Sequence, residues 1–187
     1  VLFLDKLDFQ KKINQIGNLG LDVTMRYLTH AGDGLFALLV LITLLFIRIK
    51  TALVALISFG LTAGIVQLLK HTVFESMKRP YFFLQNDADF RIIENFSYHT
   101  SNSFPSGHAA SIFAICTVIA YHYKSKLSVQ LLLVIFAILV AFTRVYLCQH
   151  FLQDIIAGSL IGTLIAYYSS IYLESRWNKL NKPLRLG

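Results

Sequence analysis

His150 and Asp154 lie four residues apart in the stretch Thr-Arg-Val-Tyr-Leu-Cys-Gln-His-Phe-Leu-Gln-Asp, residues 143–154, which interrupts a long apolar run. On a helix that spacing sets a carboxylate one turn from an imidazole, where it can hold the ring in one tautomer. A histidine so held can attack phosphorus and form a phosphohistidine, dividing one hard displacement into two. Lys70, Arg79 and Arg144 are three cations suited to a phosphate dianion, with the arginines supplying planar forks. His108 can protonate a leaving oxygen and later activate water. Just before it, Pro105-Ser106-Gly107 reads as a helix start, where Ser106 caps and Gly107 lets an oxyanion approach the backbone N–H groups.

These residues are scattered, so the elements between them must bring them together. The apolar run from Leu127 to Leu173 would make one helix of about 70 Å, against a hydrocarbon core of about 30 Å, and so must be two spans. Arg144 sits six residues before His150, roughly 240° around a continuous helix, and can face the same site only if the chain turns between them. The turn is expected near Tyr146 to Gln149, although no Gly or Pro marks it.

Of 187 residues, 56% are hydrophobic and 14% charged, which puts the chain in the membrane class, as a single membrane domain over 1–187. The fold expected is all-α, an integral membrane helical bundle. Five spans are readable, at about 24–49, 51–70, 106–123, 127–146 and 150–173, with an amphipathic interfacial segment over 1–20. The net charge of +7 comes from pairs of basic residues between apolar runs, which fits anionic lipid and excludes a nucleic-acid partner. Cys116 and Cys148 form neither a disulfide framework nor a metal pair.

Charge also orients the bundle, since short cytoplasmic loops are enriched in Lys and Arg. Arg48 and Lys50, Lys124 and Lys126, and the basic tail over 174–187 fall on one side. The opposite, outer side then carries the 71–105 loop, the Pro-Ser-Gly-His segment and the Arg144–His150 turn. The 1–20 segment also falls outside, so a sixth span upstream of Val1 is expected. Buried polar groups cost about 2.5–3.5 kcal/mol each at the centre of a spanning helix, so a cluster of them points to function.

The order Lys…Arg-Pro, then Pro-Ser-Gly-His, then Arg-x5-His-x3-Asp resembles the three-part signature of type 2 phosphatidic acid phosphatases, the PAP2 family, over roughly residues 20–173. That family is the membrane branch of a superfamily that includes vanadium haloperoxidases and bacterial acid phosphatases. The resemblance implies a six-span fold, metal-independent phosphatase activity without a cofactor, and a site at the outer face of a bacterial cytoplasmic membrane. It assigns phosphate binding to Lys70, Arg79, Ser106, Gly107 and Arg144, acid catalysis to His108, and nucleophilic attack to His150 supported by Asp154. Two positions depart from the family pattern. Eight residues rather than six separate Lys70 from Arg79, with Thr72 at the usual place and Lys78 as the fallback cation, and Thr143 replaces the usual Ser.

The substrate expected is a lipid phosphate: undecaprenyl pyrophosphate, phosphatidylglycerol phosphate, phosphatidate or lipid A. A transporter using the same cations would not need the His150–Asp154 pair, and vanadate-dependent oxidation is a third chemistry for such a pocket. His30 and His122 read as interfacial, and the aromatic residues of the 71–105 loop as membrane anchors or lipid guides.

Overall fold

The computed structural model describes residues 6–177. Among these every regular element is helical: α1 (Lys6–Gln15), α2 (Leu19–Leu28), a 3-10 turn (Thr29–Gly32), α3 (Gly34–Ile47), α4 (Ile49–Thr72), α5 (Pro80–Leu84), α6 (Gly107–His122), α7 (Leu127–Tyr146) and α8 (Leu152–Arg176). α4, α7 and α8 up to Leu173 are each long and apolar enough to cross a membrane, and α2 with α3, bent by 57° at the elbow, is together long and apolar enough for a fourth. α6, at 16 residues, is a shorter apolar helix. The chain is therefore a multi-span membrane bundle. The expected first span, 24–49, is broken at its elbow, where Asp33 leaves the helical region with φ −79° and ψ 156°.

α6 is the central helix, packed against α4, α7 and α8. Its contact with α8 is close because Gly158 and Gly162 present bare backbone: a Cβ at either would run into the carbonyl oxygen of Ser106 or Ala110, respectively. This Gly-x3-Gly spacing lets membrane helices approach at backbone distance. Away from the site, Leu41, Leu44, Ala52, Ala55, Val118 and Ala166 form one core cluster. Nearer the site, Ala109, Ala141, Val145 and Ile155 form another. The outward faces are also apolar, with Leu56, Leu131, Leu132 and Leu160 exposed, as lipid-facing surfaces require.

The basic turns share one end. Arg48, between α3 and α4, reaches His122 at the end of α6, Nη1 to Nδ1 2.6 Å. The 71–105 loop lies at the other end. Its aromatic residues largely pack on one another: Tyr81 stacks on Tyr98 at 4.3 Å, and Phe90 and Phe96 meet Tyr98 edge-on. Burial pushes the Tyr98 phenol up to about 12. Arg91 ties the loop to α2 through two bonds to the Asp22 carboxylate, 2.6 and 2.9 Å. Only Phe82 and Phe83 of the aromatic set remain exposed enough to meet lipid headgroups.

α1 differs from the expected interfacial helix in the face it turns inward. Gln10 and Asn14 are buried, and Gln10 Nε2 donates to the Val145 carbonyl at 2.6 Å. It roofs the turn after α7 as well as lying at the surface. Of the expected basic tail, α8 carries residues through Arg176, and 178–187 lie outside the described residues, as do 1–5.

Candidate active site

The turn that carries His150 closes α7 in a Schellman arrangement. Gln149 N–H bonds the Arg144 carbonyl at 2.9 Å, Cys148 N–H bonds the Val145 carbonyl at 3.0 Å, and Cys148 takes φ 53°. That left-handed position usually belongs to Gly. Here it is occupied by a Cys whose Sγ accepts from Gln10 Nε2 at 3.3 Å, which explains why the turn has no Gly to announce it. The turn runs through Phe151, slightly past the expected Gln149, before α8 begins.

All eight residues singled out in the sequence meet at this end of the bundle. Ser106 caps α6, its hydroxyl accepting from Ala109 N–H at 3.4 Å, and its own N–H bonds the Asp154 carbonyl at 3.0 Å. The second and third motifs are thereby joined backbone to backbone, with Gly107 opening α6 beside them. Lys70, in the last turn of α4, donates to the Asn102 carbonyl at 3.0 Å. Arg79 reaches the same oxygen at 3.5 Å, together with Ser101 O at 2.7 Å and Gln149 Oε1 at 2.9 Å. Lys70 and Arg79 thus converge despite the longer spacing, whereas Lys78 lies over the Phe82 ring, 5.3 Å from its centroid. Arg144 Nη1 bonds Thr29 Oγ1 at 2.9 Å, while its Nε is buried with no protein partner.

His150 is 1% exposed and Asp154 1%. Burial drives the His150 imidazole well below its ordinary range, and the charges of Arg79, Arg144 and Lys70 push the same way. The ring is therefore neutral at neutral pH, the form in which an imidazole can act as a nucleophile. Its Nδ1 lies 3.6 Å from Asp154 Oδ2 and has no hydrogen-bond partner in the protein. The carboxylate is itself engaged: Oδ2 accepts from Ser103 Oγ at 2.5 Å and from Phe151 N–H at 3.0 Å. Thr143 does not donate toward the site, since its hydroxyl bonds the Val140 carbonyl at 2.6 Å.

Four participants were not singled out in the sequence. Ser103 and Gln149 hold Asp154 and Arg79, and their place beside the motifs was the available signal. Asp33 and Thr29 come from the elbow of the first span: Asp33 Oδ1 is 2.6 Å from His108 Nε2, and Thr29 holds Arg144. Residues 75 or more positions away in sequence left no spacing from which to find them.

A buried histidine, three cations and a second histidine in the first turn of α6 are gathered at one end of a membrane bundle. The model of the PAP2 superfamily matches residues 51–178, and the chain belongs to that superfamily, as a membrane phosphatase of PAP2 type. It is similar to phosphatidylglycerophosphatase B of Bacillus subtilis (strain 168), 28% identical over 160 residues, covering 79% of this chain and 72% of that protein. Among solved structures it is similar to Aquifex aeolicus LpxE, with TM-score 0.77 and 27% identity over 89% of this chain and 94% of that one. It also resembles the first transmembrane PAP2 type phosphatidylglycerolphosphate phosphatase from Bacillus subtilis, with TM-score 0.75 and 26% identity over 92% of this chain and 86% of that one.

Proposed function

We propose that this protein hydrolyses the terminal phosphate of a membrane lipid through a phosphohistidine on His150, at the outer face of a bacterial cytoplasmic membrane. The observation that carries the reading is the meeting of a buried, neutral His150 with Arg144, whose Nε is buried and unpartnered within the protein. A phosphate oxygen is the natural acceptor for such a donor.

In this reading Lys70, Arg79, Arg144, the Ser106 hydroxyl and the Gly107 N–H hold the three non-bridging oxygens, which lowers the barrier as charge shifts in the transition state. His150 Nε2 attacks phosphorus, the bond to the lipid oxygen breaks, and His108 donates its proton to that oxygen. Water then attacks the phosphohistidine while His108 takes a proton from it, inorganic phosphate leaves, and both rings return to their starting forms. As the His150 ring becomes positive on phosphorylation, the 3.6 Å separation from Asp154 closes, since catalytic contacts often tighten only in the complex. Three side-chain cations supply the charge that a metal supplies elsewhere, so activity is expected to survive chelators.

A lipid substrate follows from the setting. Beside Asp33 and His30 opens a groove of about 350 Å³ lined mainly by Tyr27, Leu28, Leu35, Phe36 and Leu39, where an acyl or prenyl chain can lie while its phosphate reaches the site. The basic turns at the opposite end support the outer-face orientation. Two of the similar proteins are named for phosphatidylglycerophosphate, which makes it the first lipid to test.

The test is phosphate release by the purified chain in detergent with phosphatidylglycerol phosphate, polyprenyl pyrophosphate, phosphatidate and lipid A, with and without EDTA. Release from at least one lipid, unaffected by EDTA and abolished in His150→Ala, is expected. No release from any of them would overturn the reading.

A further inference from the structure

The elbow of the first span grips the site from outside the span matched to the superfamily, 51–178. Asp33 is held on both carboxylate oxygens: Oδ1 lies 2.6 Å from His108 Nε2 and Oδ2 lies 2.7 Å from His30 Nδ1. The backbone closes on the same ring, since a Cβ on Gly32 would come within 2.9 Å of His108 Cβ and 3.0 Å of its Cδ2. Thr29, one turn earlier, holds Arg144 Nη1. A bend in a spanning helix thus delivers a carboxylate to one catalytic-motif side chain and a hydroxyl to another.

The charge balance around His108 gives this contact a purpose. Arg144 from α7, Arg79 from the outer loop and Lys70 from α4 all bring positive charge to this end of the bundle, and the neutral His150 ring lies near. On the negative side, Asp154 from α8 is already bonded by Ser103 and Phe151. Asp33 is the carboxylate in direct contact with His108, with His30 behind it. An acid that gives up its proton among three cations is hard to keep charged unless a carboxylate touches it.

We propose that Asp33 is the positioning residue of the general acid: it fixes the His108 ring through one nitrogen, leaves the other for the lipid oxygen, and balances the positive ring until the proton is given up. This rests on the reading of His108 as the acid. Asp33 stays ionised throughout. The proton passes from His108 to the leaving oxygen, and the attacking water returns one to His108 in the second step. His30, exposed at the surface, steadies the far side of the carboxylate.

The experiment compares two substrates by kcat/KM, which reports events up to leaving-group departure. One is a lipid monophosphate in detergent, whose alkoxide must be protonated to leave. The other is p-nitrophenyl phosphate, whose phenolate leaves without a proton. In the full chain, Asp33→Asn is expected to lose about 100-fold on the lipid, within the range for acid–base catalysis, and less than about threefold on the aryl ester. Inhibition by vanadate should be unchanged, showing an intact phosphate pocket. Asp33→Glu, which keeps the carboxylate, should recover much of the lipid activity. Equal losses on both substrates, or no loss on the lipid, would overturn the proposal. His108→Ala should show the same leaving-group contrast; if it lacks that contrast His108 is not the acid, and the role of Asp33 falls with it. A contrast in His108→Ala without one in Asp33→Asn would overturn the role of Asp33 alone.

Discussion

Ser103 Oγ donates to Asp154 Oδ2 at 2.5 Å, the same oxygen that faces His150 Nδ1 at 3.6 Å. The carboxylate is therefore held from the 71–105 loop, at hydrogen-bonding distance from Ser103 and farther from His150. Ser103→Ala leaves a buried carboxylate with one donor fewer, which costs about 1–3 kcal/mol of stability. It should lower the thermal midpoint in detergent and cut kcat by about tenfold, equivalent to about 1.4 kcal/mol of barrier. Thermal unfolding and steady-state kinetics on the same preparation check both.

Arg144→Lys tests the fork. Arginine reaches Thr29 through Nη1 and keeps a buried Nε free of protein partners, and an ammonium cannot do both. A loss of about 10²–10³ in kcat/KM is expected, with weaker inhibition by inorganic vanadate. Retention of near wild-type kinetics would mean the guanidinium does not touch the phosphate.

The burial of His150 gives a pH dependence with a defined sign. Folded, the ring resists protonation, whereas in the unfolded chain it takes up a proton near pH 6.5. Below that pH the unfolded state binds more protons, so stability is fully present above about pH 6.5 and declines as the pH falls further. Thermal midpoints measured between pH 7.5 and pH 5 should drop in the wild type, and the drop should be shallower in His150→Gln.

Gly158→Ala and Gly162→Ala probe the packing that sets the site. Each adds a methyl group where the Ser106 or Ala110 carbonyl already sits, forcing α8, which carries Asp154, away from α6 and its cap Ser106. Overpacking of this kind costs about 1–3 kcal/mol. Both variants should melt earlier, and the Gly158 change, next to Ser106, should reduce activity more than the Gly162 change.

Much of the candidate site could be read from residue order because its polar residues are clustered in three short segments. Pro105 to His108 start a helix as their types require, and the length of the run 127–173 demanded a hairpin whose end had to be polar. The span limits at α7 were legible because charged or polar residues bound an apolar run on both sides. Two features were not. The turn after α7 puts Cys148, not Gly, in the left-handed position, because α1 supplies Gln10 to hold its sulfur, and a tertiary contact of that kind leaves no local mark. The bend at Asp33 has no such mark, because Gly32-Asp33-Gly34 falls inside the run 24–49 that reads as one span. Only the fold sets that carboxylate beside His108.

The central claim is a covalent phosphohistidine on His150, and its direct measurement is to mix the purified chain with a lipid phosphate labelled on phosphorus, quench in alkali within the first turnover, and map the label. Phosphohistidine survives alkali and is lost in acid. The account predicts acid-labile label on the peptide containing His150, absent in His150→Ala. Label on another residue, or undiminished turnover in His150→Ala, would contradict it.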